Sequence, residues 1–257
     1  KTPTIYAIPT TSGTGSETTI AAVITEEATH HKASISDTHL MPKYALLDPE
    51  LTVGLPPQVT AATGMDALCH AVESYTNGKY CSKLENEYAV KAVKGIHDNI
   101  LEAYEHGDNL KAREAMQFAA FFAGRSFTRG CVGYVHAVGH TLSGLYGISH
   151  GLAMAVILPH VLRKYGPACE KKLAILADQC GMKGKSVTEL SESFISWIED
   201  TNEKMGIPKV FDIVKKEDIP QMIEWASKEA NPIYPTPELW DYKDFEEIIY
   251  KINPNVR

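Results

Sequence analysis

The stretch Pro56-Pro57-Gln58-Val59-Thr60-Ala61-Ala62-Thr63-Gly64-Met65-Asp66-Ala67-Leu68-Cys69-His70-Ala71-Val72-Glu73-Ser74-Tyr75 decides how this chain is read. Its two prolines stand where a helix can begin, because the N–H groups of a first turn have no partner inside the helix. From Val59 to Tyr75 the residues are rich in Ala and free of Pro, which predicts a helix over 57–76. Upstream the character differs. Residues 1–55 carry short, β-rich apolar runs at 4–8, 18–25 and 44–47, separated by Gly, Ser, Thr, Pro and Asp, which is strand and turn chemistry.

Downstream the period stays helical. Ser82 with Glu85 forms an S-x-x-E capping box, followed by Leu84, Tyr88 and Ala92 on one face. Ser186 with Glu189 forms another, followed by Leu190, Phe194 and Ile198, with Gly206 as the stop. Further helices are predicted at about 109–127, 132–144, 150–164, 168–180, 217–229 and 241–251. The fold class expected is an α/β remnant at 1–55 joined to an all-α helical domain at 56–257. A few strands alone make a poor sheet, so their neighbours are expected in sequence upstream. The chain begins at Lys1 with no charged, apolar and cleavage regions after it. It reads as a fragment or a processed product.

Composition narrows the function classes. Among 257 residues, 25 Lys and Arg face 32 Asp and Glu, for a net charge of −7, so no basic field is available for nucleic acid. Hydrophobic content of 44% with 22% charged residues is that of a globular chain. The longest apolar run, 151–162, is short and holds Pro159 and His160, so it does not span a bilayer. The five cysteines form no C-x-x-C pair and read as free thiols in a reducing, cytoplasmic setting.

Chemistry concentrates in the histidines. Asp66 and His70 lie at i and i+4 on the predicted 57–76 helix, one face of one turn. His136 and His140 repeat that spacing, and His150 follows just before Gly151, which allows close backbone approach. One carboxylate with three imidazoles suits Fe(II), Zn(II), Co(II) or Mn(II). An ion held so keeps a position open for Lewis-acid work on a small oxygen ligand. From spacing alone the plainer reading stands beside it, in which Asp66 and His70 share a local hydrogen bond and the other histidines are satisfied core residues. Several rivals fall away. His136-Ala137-Val138-Gly139-His140 lacks the glutamate of a zincin, and no P-loop occurs. The loop 10–17 is Gly-rich but is not G-x-G-x-x-G, and by pattern alone it reads as a sharp turn.

Taken together, these strings resemble the iron-containing (group III) alcohol dehydrogenase family over nearly the whole chain. Pro9-Thr10-Thr11-Ser12-Gly13-Thr14-Gly15-Ser16-Glu17 resembles its threonine–glycine loop. Asp48-Pro49 with Leu51 and Pro56-Pro57 resembles the approach to its domain boundary. Thr63-Gly64-Met65-Asp66-Ala67-Leu68-Cys69-His70-Ala71 resembles its first metal motif. His136 to Gly151, then Leu158-Pro159-His160, resembles its second. The resemblance implies a two-domain, dehydroquinate synthase-like architecture with the chemistry in the cleft. It implies Asp66, His70, His136 and His150 as ligands of Fe(II) or another divalent metal such as Zn(II). Thr10, Thr11, Thr19, Lys32 and Leu51 match positions that contact NAD(P), and His140 matches a non-ligand histidine near the nicotinamide and placed to move a proton.

The activity implied is interconversion of a small alcohol with its aldehyde or ketone by hydride transfer. Family members are often dimers or larger assemblies. The family's upstream GGGS-type pyrophosphate motif does not occur in these 257 residues. The chain is therefore expected to keep the metal constellation but to bind dinucleotide poorly, a reading that submicromolar NADH binding would contradict. Two other readings remain open: a non-catalytic helical metal-binding module, and a metal-dependent lyase or hydrolase working without nicotinamide. Phe121, Phe122, Tyr146 and Trp240 are candidates for a substrate pocket, with core packing the stronger reading of each.

Overall fold

A computed structural model describes residues 3–77 and 79–256. Every buried hydrophobic residue among them lies at or beyond Ala61, so the core belongs wholly to the helical part. The upstream part holds two separate two-stranded pairings. β1 (Tyr6–Ala7) runs parallel to β4 (Tyr44–Ala45), with Tyr6 stacked on Tyr44 at 4.9 Å. β2 (Ala21–Thr25) and β3 (Lys32–Ser36) form an antiparallel ladder from Ala21 opposite Ser36 to Thr25 opposite Lys32.

Two local expectations need correction. The run expected as a strand over 18–25 enters one only at Ala21, because Ser16–Thr18 close a 3-10 turn in which the Thr18 hydroxyl donates to the Gly15 carbonyl at 2.8 Å. β3 escapes the sequence because Lys-Ala-Ser-Ile-Ser carries one large apolar residue, so pairing with β2 defines it.

Nine α-helices follow among the described residues: α1 (Pro57–Asn77), α2 (Lys83–Glu105), α3 (Leu110–Gly130), α4 (Tyr134–Tyr146), α5 (His150–Tyr165), α6 (Glu170–Gln179), α7 (Val187–Lys204), α8 (Ile219–Ala230) and α9 (Tyr242–Ile252). The Ser82 box closes in both directions. At Ser186 only half of it forms. The hydroxyl accepts from the Glu189 N–H, while the Glu189 carboxylate takes the Lys185 N–H instead. None of these helices is long and apolar enough to cross a membrane.

α1 occupies the middle, against α2, α3, α5 and α6, and is buried continuously from Gly64 to Ser74. A helix surrounded in this way should be apolar all round. This one instead carries Asp66, His70 and Glu73 into the interior, and each must find a partner there.

The upstream part is fastened to α3. Gln117 donates to the carbonyls of Pro9 and Asp48, both at 3.3 Å, holding the segments that follow the two parallel strands. Further along α3, a Cβ on Gly124 would stand 2.2 Å from Thr18 Oγ1, so the 10–18 loop reaches the helix only because that position has no side chain.

Candidate metal centre

Three helices bring the donors together. α1 supplies Asp66 and His70 one turn apart, α4 supplies His136, and α5 presents His150 as its first residue. The crossing of α5 on α1 depends on Gly151. A Cβ there would lie 2.1 Å from the Ala62 carbonyl oxygen, one turn before Asp66. This backbone approach sets His150 beside the carboxylate.

Around Asp66 Oδ1 stand His150 Nε2 at 3.4 Å, His136 Nε2 at 3.6 Å and His70 Nε2 at 3.9 Å. One donor atom from each of the four residues lies within 4.8 Å of the other three. Donors each about 2.1 Å from a shared ion stand ~3.4 Å apart in a tetrahedron, so the observed separations are those of a ligand set slightly expanded. Asp66 Oδ1 and His136 Nε2 are buried and form no hydrogen bond. Buried polar atoms without partners are costly, and here they face one another. The residues present fit a divalent cation with a mixed oxygen and nitrogen preference.

The surroundings tune the donors. Burial opposes charge on Asp66, but His70 and His150 beside it hold the carboxyl well below its ordinary range. Burial pushes His70 down to about 3, leaving a neutral imidazole with a free lone pair, and Phe127 stacks on its ring at 4.1 Å. Burial would also lower His136, yet the Glu73 and Asp66 carboxylates outweigh it and raise it to about 10. Glu73 Oε2 lies 2.5 Å from His136 Nδ1, and Glu73 Oε1 accepts the Val135 N–H at 2.8 Å. One buried carboxylate thus orients the ring and caps the first turn of α4. Thiolates take no part: all five cysteines are free, and burial pushes Cys69 well up.

His140 stands beside this group rather than within it. Its ring stacks on His150 at 5.2 Å and meets His136 edge-on at 6.0 Å. Its Nδ1 lies 2.8 Å from Glu229 Oε1 on α8, and Tyr234 donates to the same oxygen at 2.8 Å. Glu73, Phe127, Glu229 and Tyr234 were all missed by sequence reasoning. Glu73 had a signal, being seven residues after Asp66 and three after His70 on one helix. Glu229, 89 positions from His140, had none.

The residues matched to dinucleotide contacts fall into three places. Thr10 and Thr11 follow β1, and Leu51 lies in the 3-10 turn Pro49–Thr52 after β4, so parallel pairing brings all three to one edge, where ligands of open α/β sheets bind. Lys32 opens β3 and is near enough to sense the Asp66 charge, although burial lowers it overall. Thr19 lies buried beyond the opposite end of that ladder, about 20 Å along a strand at ~3.3 Å per residue. The aromatic candidates are structural. Trp240 is buried against Tyr134, Tyr165 and Phe245. Phe122 stacks on Tyr88 at 5.7 Å and meets Phe121 edge-on. The Tyr146 hydroxyl donates to Asp218 and accepts from the Lys215 N–H.

Comparison with known proteins agrees with this architecture. The profile described as "Fe-containing alcohol dehydrogenase family, C-terminal" matches residues 60–252. The chain belongs to this family. A second profile, "Iron-containing alcohol dehydrogenase", matches residues 1–49. Among relatives in the family, a 1,3-propanediol dehydrogenase of Citrobacter freundii is 40% identical over 250 residues, covering 96% of this chain and 64% of that protein. An NAD-dependent methanol dehydrogenase of Bacillus methanolicus is 36% identical over 256 residues, covering 98% and 62%. The solved alcohol dehydrogenase from Oenococcus oeni superposes with a TM-score of 0.92 at 35% identity, covering 97% of this chain and 66% of that one. The chain thus spans somewhat under two thirds of these iron-containing alcohol dehydrogenases. The C-terminal match contains all four donors and His140; the other contains Thr10, Thr11, Thr19 and Lys32, and Leu51 falls between the two.

Proposed function

We propose that this chain is the metal-holding catalytic part of an NAD(P)-linked alcohol dehydrogenase acting on a small alcohol and its aldehyde or ketone, with Asp66, His70, His136 and His150 as ligands. The observation that carries the reading is Asp66 Oδ1, buried and without a hydrogen bond, with three imidazole nitrogens at 3.4 to 3.9 Å. A divalent cation there supplies Lewis-acid polarisation of a substrate oxygen, and a nicotinamide supplies the hydride acceptor. The residues do the rest. Glu73 holds the His136 ring with Nε2 turned toward Asp66, and Phe127 fixes the plane of His70. His150 is about 30% exposed at its side chain, against 3 to 7% for the other three ligands, so substrate approaches from its side. His140 takes the hydroxyl proton. Relatives whose names specify propanediol, methanol and butanol support small alcohols as the substrate class. Fe(II) is the metal the family's name supports, and Thr10, Thr11, Thr19, Lys32 and Leu51 are the dinucleotide contacts of this reading.

The test is metal analysis of the purified chain beside Asp66→Ala and His150→Ala. The reading expects about one divalent ion per chain in the wild type and substoichiometric metal in both variants. Unchanged metal content in both removes the ligand assignment, and metal-dependent turnover without nicotinamide replaces the dehydrogenase with a lyase or hydrolase.

A further inference from the structure

We propose that Glu229 is a positioning residue that holds His140 in the tautomer protonated at Nδ1, leaving Nε2 as a lone-pair acceptor beside the candidate metal centre. Its purpose rests on the dehydrogenase reading above; its geometry does not. Glu229 comes from α8 and meets α4 across the interface those helices share. Its Oε1 already accepts the Tyr234 hydroxyl at 2.8 Å, so that oxygen faces His140 Nδ1 as an acceptor too. A ring nitrogen against an acceptor must carry the hydrogen, and a neutral imidazole has only one. The other nitrogen, Nε2, is therefore unprotonated. Burial keeps Tyr234 a phenol with a proton to donate to the same oxygen.

A neutral histidine side chain free in water prefers the opposite tautomer, with hydrogen on Nε2, which would present a donor where the reaction needs a base. With Glu229 in place, a proton leaving a substrate hydroxyl has Nε2 as its acceptor. A bound nicotinamide would supply the hydride acceptor, and a His140 that has taken the proton lies as an imidazolium 2.8 Å from the Glu229 carboxyl group. Stacking on His150 and α8 packing hold the ring while this happens.

Long-range 1H–15N correlation on the 15N-labelled chain, with and without Zn2+, reads the tautomer directly, His140 being assigned by the signals lost in His140→Gln. The wild type is expected to show a protonated Nδ1 and a pyridine-type Nε2. Glu229→Gln keeps an oxygen acceptor and should keep that tautomer, whereas Glu229→Leu should move the hydrogen to Nε2 with zinc content unchanged. A wild-type His140 protonated on Nε2, or a Glu229→Leu chain that retains Nδ1–H, overturns the proposal. The metal-free spectrum gives the same answer if the chain proves to bind no ion, so failure of the dehydrogenase reading and failure of this one are seen separately.

Discussion

Replacing Glu73 by Gln is the sharpest probe of the metal centre, because it changes one oxygen to an amide nitrogen and leaves all four proposed ligands in place. The Glu73 carboxylate faces two donors, the His136 Nδ1–H at 2.5 Å and the Val135 N–H at 2.8 Å. A Gln side chain has one acceptor oxygen, so it satisfies one of these and turns an N–H toward the other. If the oxygen stays on Val135, the amide donates to His136 Nδ1, which favours hydrogen on Nε2, the nitrogen that would have to give up its proton to hold an ion. Removing an outer partner of a metal-bound histidine lowers affinity by ~10–100-fold, or ~1.4–2.8 kcal/mol. The structure argues for the upper end, because Glu73 is 2% exposed and water cannot substitute for it. Competition between the chain and a chromophoric chelator for Co2+ at fixed pH measures this, with the cobalt absorption bands reporting ligand geometry. A Glu73→Gln chain that binds within twofold of wild type, with the same bands, would show that the carboxylate does not set the His136 lone pair.

Three further outcomes follow from the same geometry. Gly124→Ala should loosen the 10–18 loop, because its Cβ meets Thr18 Oγ1 at 2.2 Å and the Gly15 carbonyl oxygen at 2.7 Å. Overpacking of this kind costs about 1–3 kcal/mol, and limited proteolysis should open residues 1–55 first; cleavage no faster than wild type counts against the contact. Gln117→Leu removes the donor shared by Pro9 and Asp48; the Asp48 carbonyl keeps the Leu51 N–H, the Pro9 carbonyl loses its side-chain donor, and the urea midpoint should fall by an amount equivalent to about 1–3 kcal/mol; an unchanged midpoint refutes it. The metal-free chain should be most stable near neutral pH. His70 takes its proton near 6.5 when unfolded but only at about 3 when folded, so the unfolded state binds more protons in that window and stability falls as pH falls through it. His136 has the opposite sign: raised to about 10, it contributes fully below 6.5 and loses that contribution as pH rises toward 10. Urea midpoints equal at pH 5, 7 and 9.5 after chelation would contradict both signs.

The helical part was legible because its signals are local. The Ser82 box, the Pro56–Pro57 start and the proline-free run after it each act within a turn or two, and α1 spans Pro57–Asn77 against an expected 57–76. The upstream part was less so, because its order is set from outside. β3 carries only one large apolar residue, Ile35, and the Ser16–Thr18 turn depends on a left-handed Gly15 pressed against Gly124. The site divides in the same way. Asp66 with His70, and His136 with His140, announce themselves by i, i+4 spacing, and the glycine after His150 marks the crossing on Ala62. Glu229 meets His140 only through α4 on α8, and nothing in the pattern around it separates it from a solvated helix residue.

The interior of α1 then acquires a physical explanation. A helix buried from Gly64 to Ser74 with an ionised Asp66, a neutral His70 and a buried Glu73 breaks the rule that interiors be apolar or fully paired. Glu73 is paired, through His136 and the α4 backbone, but Asp66 Oδ1 and His136 Nε2 are not. Each unpaired atom costs about 1–3 kcal/mol, and an ion seated between them removes that cost in the folded state alone. In the reading proposed above, metal binding is folding free energy for this core. Free metal at about 1,000 times its dissociation constant adds ~4 kcal/mol to stability, a rise absent from Asp66→Ala if the carboxylate is the centre of the set. A core selected only for stability would place Leu or Met at position 66. The carboxylate there is intelligible as one side of a site whose other side is a cation.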